Sequence, residues 1–246
     1  MDPIHQFVIQ PFVPVHLFGL DLSFTNASLF MVLVVAVVCV VMLIGTSQRA
    51  IVPGRLQSAA EMSYEFVAST VRMTAGNEGM KFFPLIFTIF MFVLACNLLG
   101  LLPFSFSITS QILITFALAI MVIFIVLAVG FYRHGLHFLR IFAPSGVTPI
   151  LLPFIVLVEI ISFATRPISL SVRLFANMLA GHITLKVMAG FVAALLGAGF
   201  AAVLAPLPFL ANVALLAFEL FVAVLQAYVF AILSCVYLND AIHPGH

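Results

Sequence analysis

A nearly unbroken run of apolar side chains from 149 to 191 constrains this chain more than any other feature. A helix needs about 20 residues to cross hydrocarbon, so the run is about twice the necessary length. It must be two crossings or one strongly tilted helix. Four further apolar runs lie near 28–45, 82–102, 111–132 and 207–238. With 65% of residues hydrophobic and 7% charged, the chain is far from the soluble norm of about 25% charged. Backbone polar groups in lipid must be satisfied within helices or closed barrels, and runs of this length specify helices. The expected class is an all-α polytopic membrane protein with about five spans. A net charge of +1 excludes a basic nucleic-acid binder. Cys39, Cys96 and Cys235 lie inside apolar runs, which suits small core residues and neither disulfides nor zinc.

One membrane domain over 1–246 accounts for the whole pattern. Residues 1–27 form an outer segment and 28–46 the first span. Spans two and three fall in 82–132, and the last two runs fill 149–238. The first run starts too far in for a signal sequence and follows no basic segment, so it is expected to be retained. Lys and Arg placement orients the chain. Residues 1–27 and the turns near 103–110 and 192–206 hold none, whereas Arg49, Arg55, Arg72, Lys81, Arg133 and Arg140 share the opposite side. Five spans then put the N-terminus outside and the C-terminus inside. Between them, 58–80 carries Met62, Phe66 and Met73 at helical spacing with Glu61, Glu65 and Arg72 elsewhere, an amphipathic helix at the inner interface.

Charges inside the last two runs carry the functional signal: Glu159, Arg166, Arg173, His182, Lys186 and Glu219, with Asn177, Asn212 and Gln226. A charge at a helix centre costs about 2.5–3.5 kcal/mol on insertion scales, so a protein-lined polar pathway is expected. At about 100° per residue, Glu159, Arg166, Arg173 and Asn177 share one edge, provided the helix continues through Pro167. His182 and Lys186 fall on the opposite side. Asn212, Glu219 and Gln226 recur every seven residues and give the last helix one polar edge. Arg173 stays charged at any reachable pH, so it can hold a carboxylate and block protons but cannot relay them. His182 and Glu219 titrate and can relay. The plainer alternatives are an ion pair of Arg173 with Glu159 or Glu219, a hydrogen-bonded core histidine at 182, and a Lys186 that snorkels to the interface. His134 and His137 have a spacing that permits metal binding, but a solvated basic loop fits them better. Pro153, Pro206 and Pro208 suit helix ends, and Gly181, Gly190, Gly197 and Gly199 suit close helix approach.

The segment SLSVRLFANMLAGH (169–182) resembles the signature of subunit a of F-type ATP synthases. FATRPISL (163–170), FELFVAVLQAYVF (218–230), VYLND (236–240) and NLLGLLPF (97–104) resemble the same family. The motifs cover most of the chain from about residue 80, and the first 50 residues resemble it only in layout. The resemblance implies that Arg173 is the essential arginine facing a rotating ring of c subunits. It implies that Asn177 and Gln226 lie near it, that His182 and Glu219 are in the outer access pathway, and that Glu159 is on the inner approach. Arg166, Lys186 and Asn212 are possible additional members. His at 182 with Glu at 219 is the mitochondrial-like arrangement and suggests an alphaproteobacterial source. The family fold would make 149–238 a long, tilted helical hairpin curving along the ring.

By the same resemblance the partners are the c-ring, the peripheral-stalk b subunits and, indirectly, the catalytic head, all in the bilayer of a bacterial inner membrane. The mitochondrial inner membrane is the alternative. The chain would be the proton-channel stator, with two half-channels and no catalytic site, metal, cofactor or nucleotide of its own. It holds no GxxxxGK[ST] loop. A secondary transporter would show inverted repeats, and none is found. An antiporter-like respiratory subunit would spread its Lys and Glu over several spans.

Overall fold

The computed structural model describes residues 9–14, 16–17, 20–21, 23–47, 52–102, 105–142 and 151–242. His5, Arg49, Pro103, the start of the 149–191 run, His243 and His246 lie outside the described residues. Six helices dominate: α1 (Asn26–Ser47), α2 (Arg55–Gly79), α3 (Phe83–Gly100), α4 (Ile112–His134), α5 (Leu152–Gly197) and α6 (Pro206–Ile242). Among the described residues five helical stretches are long and apolar enough to cross a membrane. The protein is all-α and polytopic, as its hydropathy demands.

The 149–191 run becomes one helix rather than two. The 46 residues of α5 continue through Pro167, and at 1.5 Å per residue they extend about 70 Å. Hydrocarbon is about 30 Å thick, so α5 has about twice the residues that one perpendicular crossing needs. Pro206 opens α6 at its first position, where a missing N–H costs nothing, and Pro208 lies in the same first turn. Pro153 similarly lies in the first turn of α5.

Two compact units divide the chain. The first comprises Met1–Val40, Phe92–Gln111 and Leu174–Ala227. Here a short antiparallel ribbon, Pro11–Val13 (β1) on Phe24–Thr25 (β4), feeds into α1, and β2 (His16–Leu17) pairs with β3 (Leu20–Asp21). The Thr25 hydroxyl accepts from the Ser28 amide at 3.4 Å and caps α1. The buried interior includes Val34, Val93, Phe106, Ile108, Leu174, Met178, Ala223 and Ala227.

The second unit comprises Val41–Met91, Ile112–Arg173 and Tyr228–His246. The small face of α2 (Ala60, Val67, Val71, Ala75) is buried, while Met62 and Met73 stay exposed. Gly76 adopts φ +62° and interrupts α2 near its end, a break the periodicity does not disclose. Phe138 fills the space beside Gly130, where a Cβ would collide with its ring. Arg133 pairs with Glu78 at 2.7 Å, and His134 Nε2 lies 3.0 Å from the Ile242 carbonyl at the end of α6.

Three expectations need correction. Cys96 and Cys235 are buried, but Cys39 is exposed, on a helix whose surroundings would be lipid. A Cβ at Gly190 or Gly197 would meet nothing within 4 Å, so these glycines serve no close approach within this chain. Gly199 has φ +62° and makes the turn between α5 and α6 instead.

Candidate functional site

In the first unit, Glu219 and His182 are 8% and 7% exposed, at positions whose residue types are almost never buried without a purpose. Glu219 projects from α6 onto the backbone of α5 at Gly181. A Cβ on Gly181 would lie 2.7 Å from the Glu219 carboxyl carbon and would collide with Oε1. The carboxylate therefore occupies the notch beside His182 because residue 181 has no side chain. Both Glu219 oxygens are buried without a hydrogen-bond partner among the described residues.

One turn further along α6, Asn97 of α3 is fully buried and donates from Nδ2 to the Ala223 carbonyl at 3.1 Å. Ala223 lies four residues after Glu219 and three before Gln226, so Asn97 sits on the polar edge between them. Gln226, 3% exposed, accepts from Asn177 Nδ2 at 3.2 Å. The buried polar atoms of this unit without a protein partner, among the described residues, also include Asn97 Oδ1, Ser107 Oγ, Thr109 Oγ1, Asn212 Oδ1 and Gln226 Nε2. Each such group is costly in a dry interior and tolerable beside water. These groups lie on α3, α5, α6 and the segment after α3, and they suit an interior that water can enter. Lys186 follows His182 by one turn and is half-buried.

In the second unit, Arg173 is exposed on α5, and no ion pair satisfies it among the described residues. The alternative pairing of Arg173 with Glu159 does not occur among the described residues of this unit. Glu159 pairs instead with Arg166, at 3.7 Å. Arg166 also donates to Asp240 of α6 at 3.1 Å, and its guanidinium lies 5.3 Å from the Phe163 ring and 4.9 Å from the Tyr237 ring. Arg166 thus has two carboxylates beside it, whereas Arg173 has none in an ion pair among the described residues.

Sequence reasoning reached Glu159, Arg166, Arg173, Asn177, His182, Asn212, Glu219 and Gln226. Asn97 and Asp240 stand inside sequence motifs with no mark of a site residue, and Ser107 and Thr109 carry no sequence signal. No group of three or more metal-ligating side chains occurs among the described residues.

The family model described as ATP synthase A chain matches residues 28–239. The chain belongs to that family. Relatives named ATP synthase subunit a include one from Rhizobium etli, 64% identical over 99% of this chain and 98% of its own length. One from Beijerinckia indica is 62% identical over 100% and 98%, and one from Agrobacterium fabrum is 60% identical over 100% and 99%. The ATP synthase A chain match begins at the first span, well before the motifs that carry the resemblance. These relatives come from alphaproteobacteria, the source that the order of His182 and Glu219 suggests. Membership of the ATP synthase A chain family makes this a multi-pass membrane protein concerned with proton transport in ATP synthesis.

Proposed function

We infer that the chain is the non-catalytic stator that loads and unloads protons on a rotating ring of c subunits in a bacterial inner membrane. The observation that carries this reading is the contrast between the two arginines of α5. A desolvated permanent cation is stable only when paired. Arg166 has its counter-charges within the chain, whereas Arg173 presents an exposed charge on α5 to a partner.

The ring carboxylates supply that partner. Protons pass from the outer side along the hydrated groups of the first unit, Asn212, His182, Glu219 and Asn97 among them, and neutralise a ring carboxylate. Asn177 and Gln226 orient one another where α5 and α6 meet this path. The neutral carboxyl then travels through lipid, where the anion could not go cheaply. On the inner approach it loses its proton near Glu159. Arg173, which stands between Glu159 and His182 along α5, attracts the resulting carboxylate and cannot itself carry a proton past it. Each proton crossing releases about 2.3 kcal/mol per 100 mV of potential. The b subunits hold the chain still, and nucleotide chemistry belongs to the catalytic head.

Cysteine cross-linking in native membranes tests the assignment. Ile168→Cys and Val172→Cys, exposed on the same stretch of α5 as Arg173, should form disulfides with cysteines placed on the outer helix of the ring. Leu174→Cys, fully buried, should not. Absence of any ring cross-link from 168 and 172 would refute the reading.

A further inference from the structure

Asp240 plays no part in the reading above, yet it holds the best contact of the Arg166 guanidinium. Nη1 donates to Asp240 Oδ2 at 3.1 Å, which is a hydrogen bond. Nη2 stands 3.7 Å from Glu159 Oε1, which is too long for one and leaves an attraction between charges. The rings of Phe163 and Tyr237 lie against the guanidinium and fix its plane. All of these groups belong to the second unit.

The two carboxylates compete for one fork. An arginine that meets a single carboxylate closes onto it, commonly with two parallel hydrogen bonds. Arg166 lies two turns after Glu159 on the same helix, and helical side chains lean toward the N-terminus, so it already points back at Glu159. Without a competitor it would close the remaining gap. Asp240 prevents this by taking Nη1. Its own position is otherwise unfavourable, because it stands in the last turn of α6, where the helix end carries partial negative charge. A carboxylate placed there needs a cation, and Arg166 is that cation.

For Glu159 the consequence is chemical. A carboxylate with its oxygens engaged by a guanidinium has few lone pairs left for an arriving proton. One held only by charge keeps both oxygens accessible. Glu159 and Asp240 side chains are each 35% exposed, so neither is sealed within the chain.

We propose that Asp240 is a positioning residue for Glu159: by occupying Arg166 Nη1, it keeps Glu159 beside the cation but outside hydrogen-bond range, able to take a proton and hand it to water. The proton taken comes from a ring carboxyl and leaves as hydronium, so Glu159 returns to its carboxylate state each cycle. This proposal rests on Glu159 serving the inner half-channel.

The test uses the intact complex in inverted membranes, with ATP-driven proton uptake measured per assembled complex. Asp240→Asn, which keeps shape and removes charge, should lower the rate about tenfold, and Asp240→Glu should recover to within about twofold. The double variant Glu159→Gln with Asp240→Asn should be no slower than Glu159→Gln alone, because positioning is lost on a residue that no longer relays. Multiplicative losses in the double variant would overturn the proposal, as would Asp240→Asn at the wild-type rate beside a slow Glu159→Gln. Failure of Asp240→Asn to assemble would also count against it, since a positioning role gives Asp240 no share in assembly. A Glu159→Gln variant at the wild-type rate would instead remove the inner half-channel reading, and the proposal with it.

Discussion

The carboxylate of Glu219 on α6 rests on the backbone of Gly181 on α5, so closely that a Cβ at 181 would overlap Oε1. The only side chain in this pairing that titrates is held in place by one that is missing. Gly181→Ala should therefore displace Glu219. Overpacking costs about 1–3 kcal/mol, and about 1.4 kcal/mol corresponds to tenfold in rate. Coupled ATP synthesis per assembled complex should fall at least about fivefold. Glu219→Asp in the same chain, one methylene shorter, should recover part of it. Wild-type synthesis by Gly181→Ala would show that the notch is irrelevant.

His182 neighbours the notch that holds Glu219, and both residues are buried on facing helices. The exchanged variant, His182→Glu with Glu219→His, should recover more activity than the product of the two single losses, because one pathway needs one of each group rather than a fixed order. Proton conduction in vesicles across the four members of the cycle decides this. Strictly multiplicative losses would mean that the two residues act independently.

Asn97, Ser107 and Thr109 are buried and carry polar atoms without protein partners among the described residues, whereas Val34 of the same unit is an apolar side chain buried completely. Single cysteines at 97, 107 and 109 should react with a small, water-soluble thiol reagent added from the outer side, and a cysteine at 34 should not. Equal protection at all four positions would contradict a hydrated path.

The helical layout was legible because apolar run length and a period of 3.6 residues determine it. Spans expected at 28–46 and 82–132 are α1, α3 and α4, and the continuous 149–191 run is α5. Polar edges on α5 and α6 were readable for the same reason. Registry between helices was not. Periodicity places Glu159 and Arg173 on one edge of α5, but only the packing of α6 brings Asp240 onto Arg166 and leaves Arg173 outward. Likewise, helical spacing does not distinguish Gly181, which receives Glu219, from Gly190 and Gly197, which face open space. The short β1–β4 ribbon escaped notice because its strands are only two or three residues long.

The two arginines should respond differently to the same change. Arg166→Lys keeps a cation beside Glu159 and Asp240, and losing the fork should cost about threefold to tenfold in ATP-driven pumping. Arg173→Lys should abolish pumping, because a strongly hydrated ammonium replaces a weakly hydrated planar cation that must face lipid-exposed carboxylates. Similar behaviour in the two variants would show that the assignment of roles along α5 is wrong.

The central claim, that Arg173 is the barrier between two half-channels, is tested most directly by Arg173→Ala in reconstituted vesicles. ATP synthesis driven by an imposed proton gradient and passive proton permeability are measured on the same preparation. The account predicts an assembled complex with no coupled synthesis and a raised passive leak, since the cation that blocks protons is gone. A variant retaining even about a tenth of wild-type synthesis, with permeability unchanged, would contradict it, because tenfold is worth only about 1.4 kcal/mol and a barrier charge must be worth far more.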